Sequence, residues 1–279
     1  MRPDPGGALH LGRDQERVPM RARVRVDATL WMAGALLIFT ATFARAAGLE
    51  LAWNHCYGQA GSVETRTSAC TVNTGSQTMI ASFRPPAGVA RLEGIEVYIN
   101  YQTSGGGLGC WWNFAAGELR NAQLTPLPVS PTDVNGNPLV LCDNHYFLDH
   151  GATGGGWMTV AGVDRGHLRG VVTIPAGTGL PVLEQAQQYG VGFRISNGST
   201  VPTASCPGCL KSACIVLPLI RLYQPGLPDV ILNSPHPGSD NEITWQTSQL
   251  DACGSLPNPP PPPVPVLQGT WGAIKSIYR

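Results

Sequence analysis

The sequence predicts an all-β protein whose folded part is a single antiparallel β-sandwich, jelly-roll-like and stabilised by disulfide bonds. Between residues 47 and 256 the chain is rich in Gly, Pro, Thr, Ser and Val, poor in charge, and broken by turn signals about every ten residues. Strong helical periodicity is missing from this region. Its 210 residues suffice for one sandwich with a large core, although a barrel or two smaller sandwiches are alternatives.

Residues 1–46 are predicted to form a secretory signal peptide. Thr29–Ala44 is apolar over 16 residues, follows three arginines, and is followed by the small-residue spacing Ala44-Arg45-Ala46. The segment is shorter than the roughly 20 residues that a spanning helix needs. A retained membrane anchor or a buried core helix is the alternative. Met20 is an alternative start, because the residues that follow it form a complete signal sequence by themselves.

Cleavage after Ala46 would leave 11 basic and 14 acidic residues, a net charge of about −3. Only Lys211 and Lys275 remain as lysines, and the arginines are scattered. Nucleic-acid binding depends on clustered Lys and Arg, so it is not expected. A polybasic membrane-binding patch is absent for the same reason. The expected location is extracellular or in the cell envelope, with no stable membrane span after cleavage.

Gly94–Thr103 is the clearest predicted strand. Its apolar residues at 95, 97, 99 and 101 alternate with more polar ones, so we expect one buried face and one solvated face. Pro218 predicts a bulge or an edge position within its strand, and Leu183–Tyr189 could supply one or two helical turns. The other predicted strands are Thr78–Phe83, Trp157–Ala161, His167–Ile174, Val191–Ser196, Cys214–Tyr223, Val230–Leu232 and Ile243–Trp245.

The C-terminal region is predicted to project from the sandwich domain, residues 47–256. Residues 257–267 form a proline-rich linker that favours an extended polyproline II conformation. In the tail, residues 268–279, Trp271, Ile274 and Tyr278 recur at helical spacing. Apolar residues on a stiff arm predict a docking or sorting element that binds a protein partner or an envelope component. The alternative is that the tail folds back onto the sandwich.

All eight cysteines follow residue 47, as expected for a disulfide framework in an exported protein. Eight cysteines allow 105 connectivities, and the sequence does not choose among them. Short loops favour Cys56 with Cys70 and Cys110 with Cys142. Cys206, Cys209, Cys214 and Cys253 would then pair among themselves.

The segment Cys206-Pro207-Gly208-Cys209 has the spacing of a redox-active dithiol, and with Cys214 it also resembles three ligands of a zinc site. A redox dithiol would open a helix, whereas a predicted strand follows here. An oxidising compartment further favours structural disulfides over either alternative.

Asp133, Asn135 and Asn137 place oxygen-bearing side chains at alternate positions, as in the first half of a calcium loop. Pro138 stands where such a loop requires Gly, and Asn144 where it requires Glu. Asn135-Gly136 is also a strong hairpin-turn signal. A turn is therefore the main prediction, and a calcium site is the alternative.

Four titratable residues, Asp143, His145, Asp149 and His150, cluster after Cys142. Carboxylates and imidazoles this close together could bind a metal or act as acid and base. No H-x-x-x-H helix pair and no G-x-S-x-G elbow accompanies them. We therefore predict a solvated loop and assign no catalytic residue.

Aromatic rings offer a route to glycan binding, because exposed rings on a β-sandwich stack against sugar faces. The candidates are Trp111, Trp112, Tyr146 and Trp157. Trp111 and Trp112 would point to opposite faces if they lay on a strand. One would then be in the core, and packing against disulfides is the competing role for each.

Six segments of the mature chain carry a resemblance to a known group of proteins: Leu51–Asn54 with Cys56, Ser82–Gly88, Trp111–Phe114, Cys206–Leu217, Thr244–Gln246 and Thr270–Arg279. Together they resemble a group of uncharacterised exported bacterial proteins with disulfide bonds. The resemblance covers nearly the whole mature chain and implies no activity or site residues. It does imply that the C-terminal Trp-Gly-x-Ile-Lys-Ser-x-Tyr-Arg block recurs in the group, which favours sorting, docking or assembly.

Three hypotheses for function follow. The first is an exported, non-catalytic structural or surface-interaction protein that docks through its tail. The second is an extracellular carbohydrate-binding module, with calcium as an optional cofactor. The third is an extracellular hydrolase that uses the Asp143–His150 loop.

Overall fold

The described residues of the computed structural model form eleven β-strands and very little helix. They are residues 46–105, 107–152, 154–161, 165–175, 179, 181–202 and 205–247, with the backbone alone for 154–161. The predicted signal peptide, apart from its last residue Ala46, and the predicted linker and tail lie outside this part of the chain, as does Cys253. The described residues all belong to one compact unit.

The strands follow the chain in short segments. They are β1 (Gly48–Trp53), β2 (Thr65–Arg66), β3 (Ser76–Arg84), β4 (Gly94–Thr103), β5 (Leu124–Leu127), β6 (Gly154–Ala161), β7 (Arg165–Thr173), β8 (Gln188–Ser196), β9 (Ala213–Tyr223), β10 (Val230–Leu232) and β11 (Glu242–Trp245). One helical turn, α1 (Tyr146–Asp149), and two 3-10 turns, Cys110–Trp112 and Asn121–Gln123, complete the elements.

These strands form two sheets that pack as a β-sandwich, which confirms the predicted fold class. The smaller sheet has the order β1-β3-β8-β5. The larger has the order β2-β11-β9-β4-β7-β6, with β10 also paired to β9. The pairings are antiparallel except that of β2 with β11. No helix among the described residues is long and apolar enough to span a bilayer.

The core lies between the two sheets and is built from alternate residues of each strand. In β4 the residues at 95, 97, 99 and 101 face the core, as the alternation predicts. The opposite face of β4 is less solvated than expected, because Glu96 and Tyr98 are also buried. Polar residues on this sheet surface therefore need partners on neighbouring strands.

Pro218 lies at a break in the pairing of β9, which confirms the predicted bulge. Tyr98 of β4 pairs with Leu219, and Asn100 pairs with Val216, so two residues of β9 oppose one of β4. On its other side, β9 pairs with β11 before the break and with β10 after it. The proline therefore sits where no ladder hydrogen bond is required.

The prediction of helical turns at Leu183–Tyr189 was wrong. Gln188 already begins β8, which pairs with β3 through Phe83. Strand pairing therefore overrides the weak local helical pattern. The helical turn α1 forms instead at Tyr146–Asp149, where Tyr146 and Phe147 are buried.

An additional layer of chain covers the outer face of the smaller sheet. The backbone N–H of Cys56 donates to the Leu141 carbonyl at 3.0 Å, and the Leu141 N–H donates to Nδ1 of His55 at 3.0 Å. Beneath this contact Cys56 and Val140 pack on Ile80 of β3 and on Tyr189 of β8. We call residues 54–63 and 131–145 the outer layer.

Three disulfides join residues that are distant in sequence, so the pairings predicted from loop length were wrong. The bridges are Cys56–Cys142, Cys70–Cys209 and Cys110–Cys206, with sequence separations of 86, 139 and 96. Cys214 is also disulfide-bonded, and its partner is not among the described residues. The short-range pairings do not form because strand pairing determines which loops lie next to each other in the folded protein.

The Cys206-Pro207-Gly208-Cys209 segment forms neither a dithiol nor three zinc ligands. Its two cysteines bond to different distant partners, and the described part of the chain holds no free cysteine. These cysteines form structural disulfides, as expected for a protein in an oxidising compartment.

Candidate functional site

The Asp143–His150 residues point into separate environments and do not converge on one pocket. Asp143 accepts hydrogen bonds from Nε2 of Gln59 at 2.8 Å and from the Gln187 N–H at 3.3 Å. Its Oδ2 also lies 3.6 Å from the Arg84 guanidinium. Through these contacts the Asp143 carboxylate holds the outer layer on the smaller sheet.

The two histidines of the loop pack against different tyrosine rings. His145 lies 5.9 Å from the Tyr189 ring, whereas His150 lies 4.4 Å from the Tyr146 ring. Burial lowers the pKa of His145, partly offset by the nearby charge of Asp149. Its Nδ1 is buried and has no hydrogen-bond partner in the described part of the chain. A general base needs a partner within hydrogen-bond reach, and none of these groups provides one for another.

A buried polar network under the outer layer was missed by the sequence reasoning. Glu50 of β1 is only 1% exposed. It accepts from Nε of Arg84 at 3.1 Å and from Oγ of Ser82 at 3.4 Å, and also from Nε2 of Gln187. Nδ1 of His236 lies 3.8 Å from the same carboxylate. The only sequence signal was a charged residue between Leu49 and Leu51.

Gln187 links the two carboxylates of this network. Its side chain donates to Glu50 and to the Tyr57 carbonyl, the latter at 2.9 Å, while its backbone N–H donates to Asp143. Burial, followed by the nearby Glu64 carboxylate, raises the pKa of Tyr57 to about 12. The network thus ties β1, β3 and both segments of the outer layer together. Its central carboxylate is too buried to reach a substrate.

A second buried carboxylate lies on the outer face of the larger sheet. Glu96 of β4 is fully buried and accepts from Nε and Nη2 of Arg169 on β7. The Tyr223 hydroxyl donates to its other oxygen at 2.6 Å. The Arg169 guanidinium lies 5.5 Å from the centre of the Tyr98 ring. Burial, followed by the charge of Glu96, raises the pKa values of Tyr98 and Tyr223.

The calcium-loop candidates form a closed turn. The Asp133 carboxylate accepts from the N–H groups of Asn135 and Asn137, both at 2.8 Å, and from Nδ2 of Asn137 at 3.0 Å. These bonds lower the pKa of Asp133. Asn137 presents its amide nitrogen to the carboxylate, where a calcium site would need its oxygen. Among the described residues, no three His, Cys, Asp or Glu side chains are grouped to hold a metal.

Three of the four candidate glycan-binding rings are buried, so they offer no stacking platform. Trp111 and Trp112 lie in a 3-10 turn, not on a strand, and both are buried. Tyr146 is buried as well, and its hydroxyl donates to the Leu92 carbonyl at 3.2 Å. The fourth candidate, Trp157, lies in β6, and its side chain is outside the described part.

The two tryptophans belong to an aromatic cluster at one end of the core. Trp111 stacks on Trp245 with ring centres 5.2 Å apart, and Trp112 meets the same ring edge-on at 5.9 Å. The buried guanidinium of Arg120 lies 4.3 Å from the Trp111 ring centre, and its burial lowers the pKa of Arg120 to about 10. The Cys110–Cys206 bridge begins at the residue before Trp111. The cluster therefore has a structural role, because it fills this end of the core.

Residues 131–141 of the outer layer form an exposed apolar hairpin. The Asp133 N–H donates to the Asn137 carbonyl at 2.9 Å, and the Leu139 N–H donates to the Pro131 carbonyl at 2.7 Å. Val134 at the tip is 100% exposed, Leu139 is 56% exposed and Leu141 is 45% exposed. The hairpin ends at Cys142, whose bridge to Cys56 fixes it to the sheet.

Comparisons with known proteins give no assignment. No protein-family model matches the chain, and no curated protein is significantly similar to it. The cohesin module of a family 33 glycoside hydrolase from Clostridium perfringens ATCC13124 is similar at 6% identity and a TM-score of 0.27, covering 68% of this chain and 98% of its own. A type III cohesin module from the cellulosomal ScaE cell-surface anchoring scaffoldin of Ruminococcus flavefaciens is similar at 12% identity and a TM-score of 0.27, covering 74% of this chain and 91% of its own. At these values neither structure indicates what the present chain does.

Proposed function

We propose that the protein is an exported, non-catalytic structural or surface-interaction protein that acts outside the cytoplasm. It binds a component of the producing cell's envelope through an ordered apolar surface on the sandwich. The C-terminal tail is its second attachment element.

The apolar hairpin at residues 131–141 is the observation that supports this proposal most strongly. Its backbone is ordered by its own hydrogen bonds and its base by the Cys56–Cys142 bridge. Three large apolar side chains nevertheless face solvent within eight residues. Ordering a surface before binding lowers the entropy lost on association, so such a hairpin suits recognition of a partner.

The acid and base groups of the described residues support binding over catalysis. Glu50 and Glu96 are buried in internal ion pairs, and Asp143 holds the outer layer. Internal partners of this kind stabilise the fold, which favours a structural role for these carboxylates.

Export is supported by the disulfide bonds, which persist in oxidising compartments and are rare in the cytosol. The predicted cleavage after Ala46 falls just before β1, which begins at Gly48. Removal of residues 1–46 would therefore leave every described strand complete.

Retention of the protein on the cell surface tests the proposal. Val134, Leu139 and Leu141 would be replaced together by Ser, and the matched control would carry Ser at Leu210, Leu227 and Ile231, which are exposed elsewhere. We expect the hairpin variant to be released from washed cells of the producing bacterium while the control stays bound. Both should retain the wild-type melting temperature. Equal retention of all three proteins would contradict the proposal.

A further inference from the structure

The disulfide connectivity of this protein differs from the one that an unfolded chain prefers. Each of the three bridges spans 86 residues or more. Each of their six cysteines also has a non-native partner much nearer in sequence. The near pairs are Cys56 with Cys70, Cys110 with Cys142, and Cys206 with Cys209.

Loop-closure entropy favours those near pairs while the chain is unfolded. Cys56 lies 14 residues from Cys70 but 86 residues from its native partner Cys142. Because the closure probability falls as the 3/2 power of loop length, the near pair is favoured about 15-fold. Cys206 and Cys209, only three residues apart, compete still more directly. Their pairing would block two native bridges at once.

Contacts around the native Cys70–Cys209 bridge come from a part of the chain that follows all six cysteines. Nε1 of Trp245 donates to the Cys209 carbonyl at 2.7 Å, and Nε2 of Gln246 lies 3.3 Å from the Cys70 sulfur. Both residues belong to β11 or its end, beyond every cysteine of the three bridges. In a chain that crosses a membrane from its N-terminus, Cys56 and Cys70 meet before this strand is present.

We infer that the protein reaches its native connectivity by thiol–disulfide exchange from short-range bridges, and is therefore a client of a disulfide isomerase, a partner that carries a reactive thiolate. This inference rests on the proposed export, which supplies the oxidising compartment and the order in which cysteines appear. An oxidant alone would leave the near pairs in place.

The near bridges can rearrange into the native bridges without net oxidation. The partner thiolate attacks Cys206 in the Cys206–Cys209 bridge, which forms a mixed disulfide and releases the Cys209 thiolate. That thiolate attacks Cys70, forms Cys70–Cys209 and releases the Cys56 thiolate. The Cys56 thiolate then attacks Cys142, forms Cys56–Cys142 and releases the thiolate of its former partner.

The last thiolate, that of Cys110, attacks Cys206 in the mixed disulfide. This step forms Cys110–Cys206 and returns the partner thiolate. Each step breaks one S–S bond and forms one. Three near bridges thus become the three native bridges, and the partner acts as a catalyst.

Folding stops the exchange at the native set. Cys56, Cys206 and Cys209 are all buried in the folded protein. A thiolate must reach a sulfur in line to attack it, so buried bridges exchange slowly while exposed near pairs continue to react.

Oxidative refolding of the full chain tests the inference. The reduced chain in urea would be oxidised with diamide, the urea removed, and the bridges mapped by mass spectrometry of unreduced peptides, with and without added reduced glutathione or a purified isomerase. We expect near pairs without thiol, with Cys206–Cys209 prominent, and the native map with thiol. Native bridges in equal yield from the oxidant alone would overturn the inference.

Two double variants test whether the near competitors cause the requirement for thiol. Both lose the native bridges Cys70–Cys209 and Cys110–Cys206. Replacing Cys70 and Cys110 by Ser removes the near competitors of Cys56 and Cys142, so Cys56–Cys142 should form without thiol. Replacing Cys206 and Cys209 by Ser keeps those competitors, so Cys56–Cys142 should still require thiol. Equal thiol-free yields in both variants would contradict the mechanism.

The bridges can also be mapped before the urea is removed. This measurement does not depend on folding, so a variant that fails to fold still gives a result. We expect about 15-fold more Cys56–Cys70 than Cys56–Cys142 in the wild-type chain, and equal amounts would overturn the inference. Thiol dependence in vitro together with retention in the cytosol would refute the proposed export and leave the folding mechanism standing.

Discussion

The phenol ring of Tyr101 lies directly over the backbone of Gly166. The two residues are register partners on β4 and β7. A Cβ atom at position 166 would overlap Cζ and the hydroxyl oxygen of Tyr101. Any larger residue at this position would therefore displace the aromatic ring from its place in the core between the sheets.

Replacing Gly166 by Ala should destabilise the protein by about 1–3 kcal/mol, since the new methyl group overpacks the site. Chemical denaturation of the wild type and the variant would measure the loss. In a Tyr101→Leu background the same change should cost less, because the clashing ring is gone. An equal cost in both backgrounds would show that the contact is not the cause.

Replacing Glu96 by Gln should destabilise the protein by about 1.5–3 kcal/mol, the range for a hydrogen bond to a charged group. The change removes the buried counter-charge of Arg169, whose side chain is 21% exposed. The matched control is Asp229→Asn, because Asp229 is more exposed and lies 3.9 Å from Arg221. The control should cost no more than about 1 kcal/mol. Similar losses for both variants would contradict a special role for the buried pair.

Stability should fall as the pH drops from 7 towards 5, in part because of two histidines. Burial lowers the pKa values of His145 and His167 below their ordinary value. As the pH falls through the ordinary histidine pKa, both histidines therefore become protonated in the unfolded chain before they do so in the folded protein. This difference lowers the free energy of unfolding. The pKa values of Asp240 and Glu242 are raised by burial, which acts in the opposite direction at lower pH.

The difference between wild type and a His145→Gln/His167→Gln variant isolates the histidine contribution. Melting temperatures would be measured for both proteins at several pH values between 5 and 8. We expect the variant to lose less stability than the wild type over this range. Parallel curves would refute the assignment.

Deleting Pro259–Arg279 should leave the melting temperature unchanged but alter where the protein is found. The reason is that the predicted tail carries the docking residues while the sandwich carries the core. Cell fractionation would report the location, with a full-length control in which Trp271, Ile274 and Tyr278 are replaced by Ser. That control should mislocalise in the same way. Wild-type location of the deletion variant would argue against a docking tail.

Calcium should not change the stability of the hairpin at residues 131–141. The Asp133 carboxylate already accepts three hydrogen bonds from its own turn. Thermal melts in excess calcium and in EDTA should therefore coincide, whereas Asp133→Ala should lower the melting temperature in both. A rise with calcium that the Asp133→Ala variant lacks would instead establish a calcium site.

The sequence predicted the strands whose side chains alternate strongly and missed those that depend on distant pairing. The bounds of β4 agree with the alternation at Gly94–Thr103. In contrast, β2 has only two residues and exists because β11 lies beside it. A two-residue strand has no detectable period, so only the tertiary structure defines it.

The polar interior could not be predicted because its partners are distant in sequence. Glu50 receives bonds from residues 32 and 137 positions away. Trp111 and Trp112 were recognised as notable, but a 3-10 turn places both in the core where a strand would have exposed one. The disulfide pairing failed for a related reason: loop length describes the unfolded chain, whereas the sheets determine which loops meet.

The position of Gln246 determines how a mechanical load on the C-terminus would be carried. Its side chain donates to the Ser68 carbonyl at 2.6 Å and accepts from the Ser68 N–H at 3.2 Å, two residues before the Cys70–Cys209 bridge. A pull entering after residue 247 would therefore load these two hydrogen bonds, which join the end of β11 to a segment that the bridge holds in place. Separation of β11 from the sheet would require both bonds to break.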